Sequence, residues 1–312
     1  MSKVKVAVIG CGYLGKWHLE KAMTLADSEV IAAVDPSPET REAMAAKYKG
    51  LKVVASIDEV MDQIEAGIVV TPTSHHYEIV NKLLENNKHV FCEKPLTSTH
   101  ADALRLKQLL ADRNLVVQVG HSERCHQIWE QKELYQEFLS GSGHARIKRY
   151  APFKGRATDV DVVQDLMIHD LDLLSMLWNE VPVKISATGY KIMTNHWDHV
   201  HAELEYPSGR RAAVTVGRAH VEEKRSVELV NENGVCKVDL MNQELLRSKK
   251  GQEVEVFNYE RRDHLLIEQK SFYKSILENH QVLVDIEDGL NAVEMIEDVL
   301  KSLETGESVV KN

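Results

Sequence analysis

The 312-residue chain has four cysteines, seven prolines, few aromatic residues and no excess of positive charge. Cys11, Cys92, Cys125 and Cys236 are scattered, with no C-x-x-C among them. They read as free thiols in a reducing compartment and exclude a disulfide framework. Lys and Arg number 38 against 48 Asp and Glu, a formal charge of −10. That balance argues against a nucleic-acid surface or a polybasic membrane patch. No apolar run is long enough to span a bilayer. A strand opening at residue 4 leaves no room for a secretory leader, so the expected location is the cytoplasm. There is no G-x-S-x-G, no P-loop, no low-complexity tract and no fixed-period repeat. His196, His199 and His201 come with no cysteine or carboxylate arrangement that completes a metal site, so no metal is expected.

Against these absences stands one informative segment, Val4-Lys5-Val6-Ala7-Val8-Ile9-Gly10-Cys11-Gly12-Tyr13-Leu14-Gly15. An apolar run breaks into G-x-G-x-x-G and then into a helical pattern. Gly10 suits the tight turn, Gly12 lets a pyrophosphate approach the backbone, and Gly15 lets the helix pack close to the strand. The helix N-terminus offers unpaired N–H groups to phosphate. A second apolar run, residues 29–34, ends at Asp35, where a carboxylate meets the adenosine ribose hydroxyls. An acid there repels a ribose phosphate, so NAD is expected over NADP, although Arg41 lies close enough to blunt the preference. The alternative is a glycine turn in another α/β protein, with Asp35 a plain helix cap.

With 43% hydrophobic residues the chain can build proper cores, and its length suits two domains. Strands are predicted over 4–9, 30–34, 51–55, 67–70, 89–92 and 115–120, with helices over 15–25, 38–48, 58–65, 76–86 and 100–113. Apolar strands between amphipathic helices predict a doubly wound parallel α/β sheet over residues 1–120. The rhythm then changes. Helices are predicted over 126–141, 163–179, 265–279 and 288–303. Alternating strands are predicted over 146–152, 183–190, 200–205, 211–218, 225–231, 234–239, 244–247 and 253–259. Residues 121–312 should therefore form an α+β domain with a largely antiparallel open sheet, the boundary lying near Gly120.

Three constellations carry chemistry. Glu93-Lys94-Pro95 ends a predicted strand, and the proline holds Lys94 extended or in a cis bond. An ammonium on that stiff base would polarise a carbonyl or stabilise an alkoxide; otherwise it is a solvated loop lysine. Asp165, His169 and Asp172 recur at i, i+4 and i+7 on a helix that is otherwise mostly apolar. Histidine suits proton transfer near neutral pH; the bland reading is a first-turn acid and a satisfied core histidine. Arg124, Arg146, Lys148, Arg149, Lys154 and Arg156 form a basic cluster that would receive a diphosphate or carboxylate, or serve as a solvated strand face.

This order of motifs resembles the Gfo/Idh/MocA oxidoreductase family. The resemblance includes Thr71-Pro72-Thr73-Ser74-His75-His76, where the family has a T-P-x-x-x-H turn lining the cofactor, and Glu287-Asp288-Gly289-Leu290 at the entry to the last helix. It implies an N-terminal Rossmann domain, a C-terminal substrate-binding and oligomerisation domain, and hydride transfer between a nicotinamide and a ring hydroxyl of a sugar or cyclitol. It implies Lys94, Asp165 and His169 as the catalytic set, with Gly10, Gly12, Tyr13, Leu14, Gly15, Asp35, Thr71, Pro72, His76, Glu93 and Lys94 around NAD. Lys94, Arg124, Arg149, Arg156, Asp165 and His169 would meet a small-molecule sugar or nucleotide sugar, and the chain would form a homo-oligomer. Gly120-His121-Ser122-Glu123-Arg124 and residues 159–170 are similar to the branch with UDP-N-acetylglucosamine 3-dehydrogenases. That branch continues E-R-F-N-P where this chain has Cys125-His126-Gln127. Oxidation of a free sugar or inositol, and a non-catalytic NAD-binding sensor, are the other roles open to such a chain.

Overall fold

The computed structural model describes residues 3–155 and 157–311. They fall into two units: residues up to Ser122 with Asp263–Val293, and Glu123–Arg262 with the residues from Glu294 onward. One boundary near Gly120 does not describe this arrangement, because the segment from Asp263 returns to the first unit. The α-helices are α1 (Tyr13–Thr24), α2 (Pro38–Lys47), α3 (His76–Glu85), α4 (His100–Leu110), α5 (Ile168–Trp178), α6 (His264–Glu278) and α7 (Ile286–Thr305).

In the first unit β1 (Val4–Ile9), β2 (Ser28–Val34), β3 (Lys52–Val54), β4 (Ala66–Val69), β5 (His89–Glu93) and β6 (Val117–Gly120) form an all-parallel sheet. Its order, β3-β2-β1-β4-β5-β6, is that of the expected doubly wound fold. Alternate residues of the strands feed two cores. Val6, Val8, Ile68 and Phe91 pack with Leu19 of α1 and with Phe272 and Tyr273 of α6. Ala7, Ile9, Val69 and Val90 pack with Leu83 of α3, Leu106 of α4 and the returning Val284 and Leu290. The Val119 N–H donates to the Val284 carbonyl at 3.0 Å, so the return also covers the β6 edge.

In the second unit β7 (His144–Tyr150), β8 (Lys184–Tyr190), β9 (His199–Glu205), β10 (Arg211–Gly217), β11 (Lys224–Asn231), β12 (Gly234–Asp239), β13 (Glu244–Lys249), β14 (Glu255–Asn258) and β15 (Val309–Val310) make one sheet. The order is β14-β13-β12-β11-β7-β10-β9-β8-β15. Every pair is antiparallel except β7 with β10. This is the largely antiparallel sheet that the alternation predicts.

Three predicted helices differ. Residues 58–65 form two short 3₁₀ turns, Ile57–Glu59 and Met61–Gln63, opened by a capping box between Ser56 and Glu59. Residues 126–141 form successive 3₁₀ turns instead of one helix. Side-chain donors take carbonyls that a helix would need: Tyr135 Oη bonds Trp129 O, Arg247 bonds Glu133 O and Leu134 O, and Asn231 and Asn233 bond Glu137 O. The helix predicted over 163–179 begins as a π-turn, Val163–Met167, before α5. Among the described residues, no helix is long and apolar enough to cross a membrane.

Candidate functional site

The β1–α1 turn shows why Gly10 and Gly15 must be glycine. Gly10 has φ +89°, and a Cβ there would stand 2.7 Å from the Val70 carbonyl oxygen. A Cβ on Gly15 would stand 1.8 Å from the Gly10 carbonyl oxygen, so only glycine lets α1 pack this close to the turn. A Cβ on Gly12 would meet nothing within 4 Å, which leaves an open approach to the backbone. Gly12 is also the N-cap of α1 and no side chain caps the helix, so the first N–H groups face outward. Tyr13, 75% exposed, and half-buried Leu14 begin that helix.

Beside this turn lies a cavity of about 470 Å³ lined by Gly10, Gly12, Asp35, Thr71, Pro72 and His75, among others. Asp35 is fixed at its wall: Oδ2 accepts from Cys11 N at 2.8 Å and Oδ1 from Ser37 N at 2.9 Å. The Arg41 guanidinium donates to the carbonyls of Asp35 and Pro36 at 2.9 and 2.8 Å. The glycine cradle, the open helix end and the acid at the end of β2 together fit a dinucleotide. Ser56, Ile57, His75 and Ile79 also line the cavity, and the motif does not name them. They follow β3 or open α3, and only the strand order brings them to β1. His76 is buried, its ring between the Pro95 carbonyl (2.7 Å) and the Thr71 carbonyl (2.8 Å). Burial holds its pKa below the ordinary value, so the neutral ring donates to one of them at a time. It ties the Thr71-Pro72 turn to the loop after β5, and His75 is the histidine on the cavity wall.

Lys94 follows the C-terminal end of β5 with half its side chain buried, and its bond to Pro95 is cis. Glu93 before it is buried. Its Oε1 meets His18 Nε2 at 2.8 Å and its Oε2 accepts from Lys94 N at 3.1 Å. Burial alone would raise the Glu93 pKa, but His18 and Lys94 hold it below the ordinary carboxylate range.

In the second unit, Asp165 lies in the π-turn and His169 in the first turn of α5, both half-buried. The π-turn breaks the 3.6-residue period that placed Asp165, His169 and Asp172 in one stripe. Asp170 and Asp172 are buried against arginines. Arg149 Nη2 meets Asp170 Oδ1 at 2.7 Å and its Nη1 meets Glu123 Oε1 at 2.9 Å. Arg225 reaches the same Glu123 oxygen at 2.8 Å, and His126 Nε2 meets Glu123 Oε2 at 3.0 Å. Burial alone would raise the Glu123 pKa. Arg149, His126, Arg225 and His169 together hold it well below the carboxylate range. Arg124 forms a two-pronged pair with Asp172, at 2.8 and 2.6 Å.

The predicted basic cluster is thus divided. The pleat of β7 puts Arg146 and Lys148 on an exposed face and Arg149 on the buried one. Lys154 pairs with Glu223 at 2.9 Å, and Arg156 lies outside the described residues. Arg124 and Arg149 are committed to the carboxylates on either side of Leu171, where they brace the helix that carries His169.

Sheet order, cradle and acid define a dinucleotide-binding α/β unit joined to a sheet-rich partner unit. Residues 4–121 match the family described as "Oxidoreductase family, NAD-binding Rossmann fold", and residues 140–237 match the "GFO/IDH/MocA C-terminal domain". A UDP-N-acetylglucosamine 3-dehydrogenase of Acidithiobacillus ferrooxidans is 29% identical over 91% of this chain and 92% of its own length. An inositol 2-dehydrogenase of Rhizobium meliloti is 26% identical over 69% of each. A solved structure of UDP-N-acetylglucosamine 3-dehydrogenase from A. ferrooxidans superposes with TM-score 0.90 at 28% identity, covering 98% of this chain and 99% of that one. The chain belongs to the Gfo/Idh/MocA family and is an oxidoreductase with an NAD-binding Rossmann fold.

Proposed function

We propose that the protein is an NAD-dependent dehydrogenase that oxidises a sugar ring hydroxyl, the 3-hydroxyl of UDP-N-acetylglucosamine. The observation that carries the reading is the cradle at Gly10 and Gly12, walled by Asp35, with Lys94 at the end of nearby β5. The choice of sugar is supported by the likeness to UDP-N-acetylglucosamine 3-dehydrogenase along almost the whole chain.

The cofactor, when bound, supplies the hydride acceptor. Gly12 admits the diphosphate, and Asp35 takes the ribose hydroxyls and disfavours a ribose phosphate. The Lys94 ammonium hydrogen-bonds the reacting hydroxyl oxygen and holds the alkoxide charge as it develops. His169 takes the hydroxyl proton as general base. Asp165 orients the imidazole or a neighbouring sugar hydroxyl. Arg124 and Arg149 keep α5 in place through Asp172 and Asp170.

The test is NADH formation from NAD and UDP-N-acetylglucosamine, with hydrazine present to trap the ketone and any prebound NADH measured first. Lys94→Ala should lower turnover by about 100- to 10,000-fold while NADH still binds. Turnover that survives in both Lys94→Ala and His169→Ala would remove the assignment. A second reading, oxidation of an inositol ring hydroxyl, is supported by the likeness to inositol 2-dehydrogenase. NADH formed from myo-inositol and not from the nucleotide sugar would select it.

A further inference from the structure

Behind Lys94 runs a buried chain of polar side chains that begins in the returning helix α6. His18, Gln269 and Tyr273 have no solvent exposure, and Glu93 has 7%. Gln269 Nε2 lies 2.9 Å from the His18 carbonyl oxygen and 3.0 Å from His18 Nδ1. A carbonyl oxygen only accepts, so it fixes which way the Gln269 amide points. Turned over, the amide would set oxygen against oxygen. The two Nε2 protons therefore go to two acceptors on one residue, and His18 Nδ1 is an acceptor. The ring proton then sits on Nε2 and is donated to Glu93 Oε1 at 2.8 Å. Tyr273 Oη donates to Gln269 Oε1 at 3.3 Å and holds the far end of the amide.

Glu93 has little freedom at the other end. Its Oε2 accepts from the Lys94 N–H, and its carboxyl lies where a Cβ on Gly120 would be 3.0 Å away. Nothing larger than glycine fits at the end of β6 without moving Glu93. The ring of His18 is wedged too, with its centroid 5.3 Å from that of Phe91, which meets Phe272 edge-on at 6.0 Å.

We propose that His18, Gln269 and Tyr273 are positioning residues for Lys94: they set the Glu93 carboxylate, and Glu93 sets the backbone from which the ammonium is presented. This rests on the reading of Lys94 as the group that meets the substrate hydroxyl. It also gives the return of residues 263–293 a function beyond covering the sheet. A backbone shift of about 1 Å at a reacting group lowers turnover by about a hundredfold, so a brace of this kind acts on kcat.

The test uses the full chain with Gln269→Met, His18→Leu, His18→Gln and Gly120→Ala. Lys94 reactivity is read without any substrate, as the rate of trinitrobenzenesulfonate labelling located by peptide mass spectrometry. Lys82 and Lys107 in the same protein are the internal controls. NADH affinity and kcat on UDP-N-acetylglucosamine are measured alongside. Gln269→Met and His18→Leu should speed labelling at Lys94 alone and lower kcat by about 10- to 100-fold, with NADH affinity held. His18→Gln, whose amide nitrogen can stand where Nε2 stood, should return both values toward wild type. If His18→Leu does not fold, Gln269→Met and Gly120→Ala carry the same comparison. Wild-type labelling of Lys94 in folded variants would overturn the proposal. Turnover retained in Lys94→Met would remove the catalytic reading alone, because the labelling response stands without it.

Discussion

Asp35 decides more about this molecule than its size suggests. Its two carboxylate oxygens each accept a backbone N–H, from Cys11 and from Ser37, so it locks the glycine turn to the end of β2 before any ligand arrives. The same residue lines the cavity. Arg41, which would otherwise welcome a ribose phosphate, is turned onto two carbonyl oxygens. Wild-type protein should therefore bind NADH well ahead of NADPH. Asp35→Ser should weaken NADH about 10- to 100-fold, as expected for loss of charge-assisted hydrogen bonds, and narrow the gap to NADPH. Fluorescence titration with both nucleotides checks this. Equal affinity for the two in wild-type protein would sink the assignment of NAD.

Elements differ in how openly the sequence announces them. The six parallel strands are legible because each is a short apolar run closed by glycine, proline or a polar turn. Residues 10–15 are legible because Gly10 and Gly15 have separate steric tasks. The turns over 126–141 are not, because most of the donors that break the helix, on Asn231, Asn233 and Arg247, lie up to 114 residues away. The π-turn at Val163–Met167 takes the chain off the 3.6-residue period, so the stripe that the spacing of Asp165, His169 and Asp172 describes is not legible as geometry. Helix α6 is found from its own pattern, but its destination is not, since nothing local marks the return to the first sheet. Phe272 is the anchor of that return, fully buried against Phe91. Phe272→Ala should cost about 3–5 kcal/mol, read from the urea midpoint with slope unchanged. A cost within the range of a surface substitution, about 0.5 kcal/mol, would mean that α6 does not hold the core in solution.

An acidic protein of formal charge −10 keeps several carboxylates ionised where water is scarce, and its response to acid follows from them. Asp198 is the clearest case, with no side-chain exposure. Its Oδ2 accepts from the backbone N–H groups of Ile192, Met193 and Thr194 at 2.7, 2.7 and 2.8 Å, and its Oδ1 meets Arg218 Nε at 2.6 Å. Burial alone would raise its pKa, but Arg218 and these amides hold it well below the ordinary carboxylate range. Glu123 is shifted in the same direction by Arg149, His126 and Arg225 against the same effect of burial. Near the ordinary carboxylate pKa the unfolded chain takes up protons at these positions and the folded chain does not. Stability is therefore fully present above about pH 5, declines as pH falls through the ordinary carboxylate pKa, and goes on being lost toward the lower pKa values of the folded state. Asp198→Asn removes the charge while keeping the shape. It should cost about 2–3 kcal/mol at neutral pH, and its deficit against wild type should begin to shrink as both are taken to about pH 3.5, since wild type starts to lose there what the variant never had. Urea midpoints of the two proteins across that range decide the matter. A deficit that stays constant from neutral to acid pH would mean that the Asp198 charge does not hold the loop to β10 and its neighbours, and that the acid sensitivity of the molecule lies elsewhere.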